Sequence, residues 1–363
     1  MLKGEQYMGD TYPRFTVAAV QAASVFFDRD RTIDKAVRFI EKAADKGAVI
    51  IGFPEGFIPG FTNVWYHAKD TNPLRSHATL FKEIVKNGVK VPSLATDRLC
   101  AAAKKAHAYV VMGMCEVDTL FPGTVYVSQL IITDAGEIAG VHRKLVPTET
   151  EKLVFSGGDG SYLNVYDTTY GKLSSLNCGE HAHSLYKYAL LAMGAQIHVS
   201  SWPSFPRNIY GKNNLDSIDF RVRQFAHEGK LFLVNSCSVT DEQNRDACCE
   251  SQLEKDNIVV GSGGGSGIIG PNGEYLAGPL YEGEGILTAE ICLEDALPGK
   301  QTHNVLGHYT RYDVLSLNFN RIRLSPFRSP DVLDGLRETF PTDTGSTACA
   351  NENGDSGEKK TEK

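Results

Sequence analysis

FTVAAVQA, Phe15–Ala22, is an apolar, β-branched run that reads as a buried strand. Apolar residues then recur at Ile33, Ala36, Val37, Ile40, Ala43 and Ala44, which is helical spacing over Thr32–Lys46, and Gly47 can end that helix. VIIGF, Val49–Phe53, follows as a second strand and runs into Pro54-Glu55. Outward from this unit the alternation continues. Tyr109–Glu116, Lys172–Asn177, Ile197–Ser201 and Leu231–Cys237 read as strands; Leu94–His107, His183–Gly194 and Ser217–Glu228 read as helices. Two hairpins are interspersed. One joins Val125–Thr133 to Glu137–Arg143 across Ala135-Gly136, the other Ser266–Gly270 to Glu274–Ala277 across Pro271-Asn272-Gly273. The pattern predicts an α/β fold with mixed sheets, not a uniformly wound parallel one.

The 363 residues suffice for one large α/β domain or two modest ones. With 42% hydrophobic residues a sizeable core is possible without disulfide staples. A net charge of −7 repels phosphate backbones, so nucleic acid is excluded as a natural partner. The eight cysteines include no CxxC pair, and Cys248 and Cys249 are adjacent, a poor geometry for a bridge. No apolar signal core stands at the N-terminus and no run is long enough to span a bilayer. A reduced, cytoplasmic protein is expected. Residues 1–12 read as an N-terminal extension, 13–300 as the main domain, 301–337 as a packing extension and 338–363 as a polar, disordered tail. The stretch Gly56–Val91, rich in Gly, Pro and aromatics, reads as a functional loop enclosing a helix.

Three motifs place reactive side chains just after strands: Gly52–Phe57 (GFPEGF), His142–Thr148 (HRKLVPT) and Leu176–His181 (LNCGEH). Each has an ordinary reading: a solvated carboxylate, a basic surface pair, an inert thiol. Yet Glu55 lies between Phe53 and Phe57, where desolvation raises a carboxyl pKa towards that of a general base. Cys178 lies at a strand-to-helix turn, where a nearby helix N-terminus is expected to lower its pKa and Gly179 N–H faces a developing anion. Nucleophile, cation and carboxylate together make a working set. His181 and His183 beside the thiol lack a second cluster of ligand spacing, so no metal or other cofactor is expected.

In this order, the three motifs resemble the nitrilase superfamily of carbon–nitrogen hydrolases, in its nitrilase and cyanide hydratase branch. The likeness spans roughly Phe15 to Val314, with further matches at Pro59-Gly60, Phe155–Ser161 (FSGGDGS), Ser201-Trp202-Pro203, Gly263–Pro271 and Gly307-His308-Tyr309. It implies a four-layer α-β-β-α sandwich, homodimers that build larger assemblies or spirals, and no membrane partner. It implies Glu55 as general base, Lys144 as electrostatic partner, Cys178 as nucleophile and Glu151 as a second carboxylate positioning the lysine. Nitrile and water would be the substrates, with acid and ammonia, or else amide, as products. Phe61, Trp65, Tyr66, His181, Trp202 and Pro203 are expected around the pocket. One departure is Gly179, where most of the family carries Trp; it implies a roomier pocket beside the thiol. An amidase of the same superfamily, or a catalytically silent protein on the same fold, are the competing readings.

Overall fold

The computed structural model describes residues 11–61, 73–205, 207–249 and 251–326. Trp65, Tyr66, most of the N-terminal extension and the tail 338–363 lie outside them. The chain divides into two compact units, Met1–Arg323 and Leu324–Lys363; only residues 324–326 of the second are described. In chain order the first unit contains β1 (Arg14–Gln21), α1 (Arg29–Ala44), β2 (Ala48–Gly52), α2 (Pro73–Asn87), α3 (Leu94–Ala106) and β3 (Tyr109–Val117). Then come β4 (Val125–Ile132), β5 (Ile138–Arg143), β6 (Val165–Thr168), β7 (Gly171–Asn177), α4 (Ser184–Ala192), β8 (Ile197–Trp202) and α5 (Arg207–Gly229). The rest are β9 (Phe232–Cys237), α6 (Glu242–Cys248), α7 (Gln252–Asp256), β10 (Ser266–Ile269), β11 (Tyr275–Leu280), β12 (Gly285–Cys292) and α8 (Leu297–Thr302).

The strands form two six-stranded sheets, ordered β12-β1-β2-β3-β4-β5 and β11-β10-β9-β8-β7-β6. Within each, the central trio (β1-β2-β3 and β7-β8-β9) is parallel and the flanking pairs are antiparallel. The alternation of β1 shows how the layers arise. Val17 and Ala19 join Ile50, Val111, Leu173, Val199 and Val234 between the sheets. Ala18 and Val20 face the other way, into Ile33, Ala36 and Ile40 of α1 and Leu99 of α3. On the far side Val222 and Phe225 of α5 cover Leu233 and Ile269, and Ala189 and Leu190 of α4 cover Leu176. The layers are therefore helix, sheet, sheet, helix, and each buried Val, Ile or Leu stabilises them by about 1.5–3 kcal/mol.

Differences from the sequence reading have local causes. α1 begins at Arg29, earlier than the apolar spacing suggests, because Asp28 caps it by accepting from Arg31 N–H. α5 begins at Arg207, ahead of Ser217, through RNIYGKNNLD, where Gly211 and the Asn213-Asn214 pair are weak helix formers and the few apolar residues make no sustained helical spacing. β6 and β12 are edge strands, partly exposed, and lack the continuous apolar run of their buried neighbours. In the region of the packing extension Leu317 and Phe319 pack against the α4 cluster, whereas Tyr309, Tyr312, Val314 and Leu315 are exposed. Among the described residues no helix is long and apolar enough to cross a membrane, and all seven cysteines are free.

Candidate active site

Glu55 follows β2 on a turn held down on both sheets. Phe53 N–H donates to Val111 O at 2.9 Å, Glu55 N–H to Trp202 O at 3.3 Å, and Ser201 Oγ to Phe53 O at 2.8 Å. The turn can lie on β3 only because residue 113 is glycine: a Cβ there would fall 1.8 Å from Pro54 O. Glu55 is fully buried as a result.

Lys144 leaves the end of β5, and its neighbours are locked by the FSGGDGS loop. Gly158 N–H donates to Lys144 O at 2.8 Å, and Ser156 N–H to Val125 O at 2.8 Å. Cβ atoms on Gly157 and Gly158 would come within 2.5 Å of Leu145 O and 2.6 Å of Arg143 O, so both glycines are needed for this close passage. The Lys144 ammonium is fully buried. It donates to Glu55 Oε1 at 2.7 Å and to Glu151 Oε1 and Oε2 at 3.1 and 2.8 Å. Glu151 Oε2 also accepts from Thr148 N–H at 2.8 Å, closing a 3-10 turn over Glu149–Leu153. Glu55 Oε2 is buried with no hydrogen-bond partner.

Cys178 follows β7 with φ of +41°, a left-handed conformation that costs a non-glycine residue about 1–3 kcal/mol. The Glu180 carboxylate holds this elbow. It accepts from Asn177 N–H at 2.9 Å, from Leu145 N–H at 2.9 Å and from His142 Nε2 at 2.8 Å. One buried side chain thus ties the residue before Cys178 to the residue after Lys144. Sequence reasoning quoted Glu180 and His142 without giving them a role; their signal was their place inside the same two motifs.

Electrostatics set the protonation states. Burial pushes Glu55 up to about 8, against the pull of Lys144 and with the help of Glu151. One cation faces two carboxylates here, and Glu55, with a single hydrogen bond and its Oε2 unpartnered, readily holds a proton. Burial opposes the Lys144 charge, but Glu55, Glu151 and Cys178 outweigh it and hold the lysine well above its ordinary value. The expectation of a depressed thiol pKa is corrected. Burial and the charge of Glu55 push Cys178 well up; Lys144 and Gly179 N–H only oppose this. The turn over Cys178–Ala182 is 3-10, and α4 starts only at Ser184, so no long helix points its dipole at the sulfur. Glu180 is held below its ordinary value: burial works the other way, and His142 with the two N–H donors overcomes it.

Cys178 and Gly179 open into a cavity of about 580 Å³, lined also by Pro147, Thr148, Trp202 and Phe205 and by Ser217, Ile218 and Arg221 of α5. Of the expected pocket residues, Trp202 is there. Phe61 and Pro203 instead line a separate small cavity with Ser24 and Phe26. Phe61 backs Lys144, its ring centre 6.0 Å from Nζ. His181 is buried beneath the elbow and stacks on Trp202. Its Nδ1 lies 2.9 Å from Cys178 O, which can only accept, so Nδ1 carries the proton and Nε2 accepts from His198 at 3.0 Å. Burial holds both rings neutral, His181 at about 4 and His198 well below its ordinary value. Ser217, Ile218 and Arg221 were missed because nothing in the α5 sequence marks its cavity face. Among the described residues no cluster of three or more His, Cys, Asp or Glu is placed to hold a metal ion.

The family model for carbon-nitrogen hydrolases matches residues 16–301. The chain is 37% identical to an aliphatic nitrilase of Rhodococcus rhodochrous over 89% of this chain and 91% of that one. It is 36% identical to a nitrilase of Bacillus sp. (strain OxB-1) over 87% and 91%. Its fold is similar to that of Saccharomyces cerevisiae Nit3, a member of branch 10 of the nitrilase superfamily, with a TM-score of 0.64 and 20% identity over 81% of this chain and 96% of that one. With two facing mixed sheets flanked by helices and a family match across most of its length, the chain belongs to the carbon-nitrogen hydrolases of the nitrilase superfamily.

Proposed function

We propose that this protein hydrolyses an organic nitrile to a carboxylic acid and ammonia, with Cys178 as nucleophile, Glu55 as general base, and Lys144 and Glu151 as its electrostatic partners. The observation that carries the reading is the buried Glu55–Lys144–Glu151 cluster, whose charges act on Cys178, the one thiol among the described residues that opens into the 580 Å³ cavity. The named relatives support the nitrile as substrate.

The raised thiol pKa means that the resting sulfur is protonated, so attack is coupled to proton transfer to Glu55. Sulfur adds to the nitrile carbon and a thioimidate forms. Lys144 and Gly179 N–H stabilise the charge that grows on nitrogen. Glu55 then passes its proton on and activates a water, which adds to the same carbon. The tetrahedral adduct expels ammonia and leaves a thioester; a second water releases the acid and regenerates the thiol. Expulsion of the sulfur instead would release the amide. The cavity is within the range of small-molecule sites and has room for a multi-carbon substituent, which favours organic nitriles over cyanide itself.

The test is a panel of nitriles and the matching amides, with acid, amide and ammonia each quantified. Acid and ammonia from nitriles is the expected result; amide turnover without nitrile turnover makes the protein an amidase. The exposed Tyr309, Tyr312, Val314 and Leu315 support a homo-oligomer, which light scattering of the full chain tests. Free cysteines support a reducing, cytoplasmic location.

A further inference from the structure

We infer that Arg221 forms a carboxylate-binding subsite in the cavity above Cys178, so that the preferred substrates are nitriles bearing an anionic group at the end remote from the cyano carbon. The inference rests on the nitrile reading above and names its substrate class.

Ser217, Ile218 and Arg221 stand on one face of α5 and form one wall of the cavity that Cys178 and Trp202 share. Arg221 is half-buried and makes no hydrogen bond or ion pair among the described residues. Its neighbour Arg223 is committed, to Gly273 O at 2.7 Å and to Asp219 at 3.4 Å. The other charges around the cavity are accounted for. Glu180 is saturated by His142 and two N–H donors. Glu149 and Lys152, both exposed, are three residues apart on one 3-10 turn with opposite sign. His183 is exposed at the rim. Among the described residues, what remains is one net positive charge, on Arg221, with no counterion.

The charge of Arg221 also reaches His181, directly beneath the Cys178 carbonyl. A guanidinium presents a planar fork of donors that matches a carboxylate, and is weakly hydrated enough to be used in a partly dry cavity. A neutral nitrile that filled the cavity would strip water from this cation and return nothing for it. An anionic one would pair with it and turn its cyano end towards the sulfur.

The experiment uses ω-cyano carboxylates of increasing length, each paired with the alkyl nitrile of equal length. For the unaltered protein at low salt, kcat/KM is expected to favour the carboxylate of at least one length by about tenfold, through KM. Raising the ionic strength should erode that advantage and leave the alkyl nitrile alone. In R221Q the carboxylate-to-alkyl ratio should fall towards one; R221K, which keeps the charge without the fork, should fall between. Equal kcat/KM for both members of every pair, or a ratio unchanged in R221Q, overturns the subsite while leaving nitrile hydrolysis standing. Should no nitrile be turned over at all, the nitrile reading fails instead. Calorimetric binding of the ω-cyano carboxylate then decides the subsite: binding lost in R221Q supports it, and binding equal in both proteins overturns it. If R221Q does not fold, R221K and the salt dependence of the unaltered protein decide the same question.

Discussion

Gly179 and Thr148 approach so closely that a Cβ on Gly179 would lie 2.9 Å from Thr148 Oγ1. Thr148 is in turn bonded twice to Glu151: its N–H donates to Glu151 Oε2 at 2.8 Å, and its carbonyl accepts from Glu151 N–H at 2.9 Å. Glu151 holds Lys144. A side chain at position 179 therefore presses, through Thr148, on the carboxylate that orients the lysine.

Gly179→Ala should fold and keep activity, because rotation of the exposed Thr148 side chain relieves the contact. Gly179→Trp should raise KM for bulky nitriles roughly tenfold and change the acid-to-amide ratio. Thr148→Ala in the Gly179→Trp background, which removes the oxygen that is in the way, should recover part of the loss. A double-mutant cycle on kcat/KM should return a coupling of about 0.5–3 kcal/mol. Strict additivity would show that the two residues act independently.

The acid limb of kcat/KM should follow Glu55, which must be ionised to take the thiol proton. With its pKa at about 8, the rate should rise with pH through that value. Stability should run the opposite way. Glu55 binds its proton more tightly folded than unfolded, so its contribution is present below about 4.5 and is lost as pH rises through about 8. Glu55→Gln should abolish turnover and flatten this part of the pH–Tm curve. A wild-type acid limb with its midpoint near 4.5 would assign the base elsewhere.

Lys144→Met strands two buried carboxylates, which should cost about 3–5 kcal/mol in denaturant unfolding. Adding Glu55→Gln and Glu151→Gln should return much of that stability without returning activity. A Lys144→Met protein as stable as the parent would mean that the cluster is hydrated rather than dry.

Glu180 is a positioning residue, since it touches the chain beside Lys144 and Cys178 rather than the reacting atoms. Glu180→Ala should lose about 3–5 kcal/mol, because buried His142 loses its partner and the Asn177 and Leu145 N–H groups lose their acceptor. Glu180→Gln, which retains an acceptor, should fold and lose kcat by roughly tenfold or more, with KM little changed and the acid limb still near 8. The Glu180 charge helps to raise Glu55, so its loss should move the limb down only slightly; an upward move would contradict a positioning role.

The buried strands were legible because Val17, Ile50, Val111 and Val234 sit in continuous apolar runs. Glu55, Lys144 and Cys178 each read as ordinary alone; they were legible because each follows a strand within one of three ordered motifs that together resemble the nitrilase superfamily. The direction of the Cys178 pKa was not. It depends on how deeply a sulfur is buried and which charges meet it, and Glu55 is 123 residues away in sequence. Gly113 and Gly158 were opaque for a similar reason: what makes each necessary is a backbone carbonyl from another segment. Arg221 looked like any other cation on a polar helix until the fold placed it over the sulfur's cavity.

The most direct test is ammonia release from a nitrile by purified Cys178→Ala protein, with folding verified by its melting transition. A buried nucleophile predicts a loss of turnover on the order of a millionfold, down to background. Ammonia release within tenfold of the parent rate would contradict it.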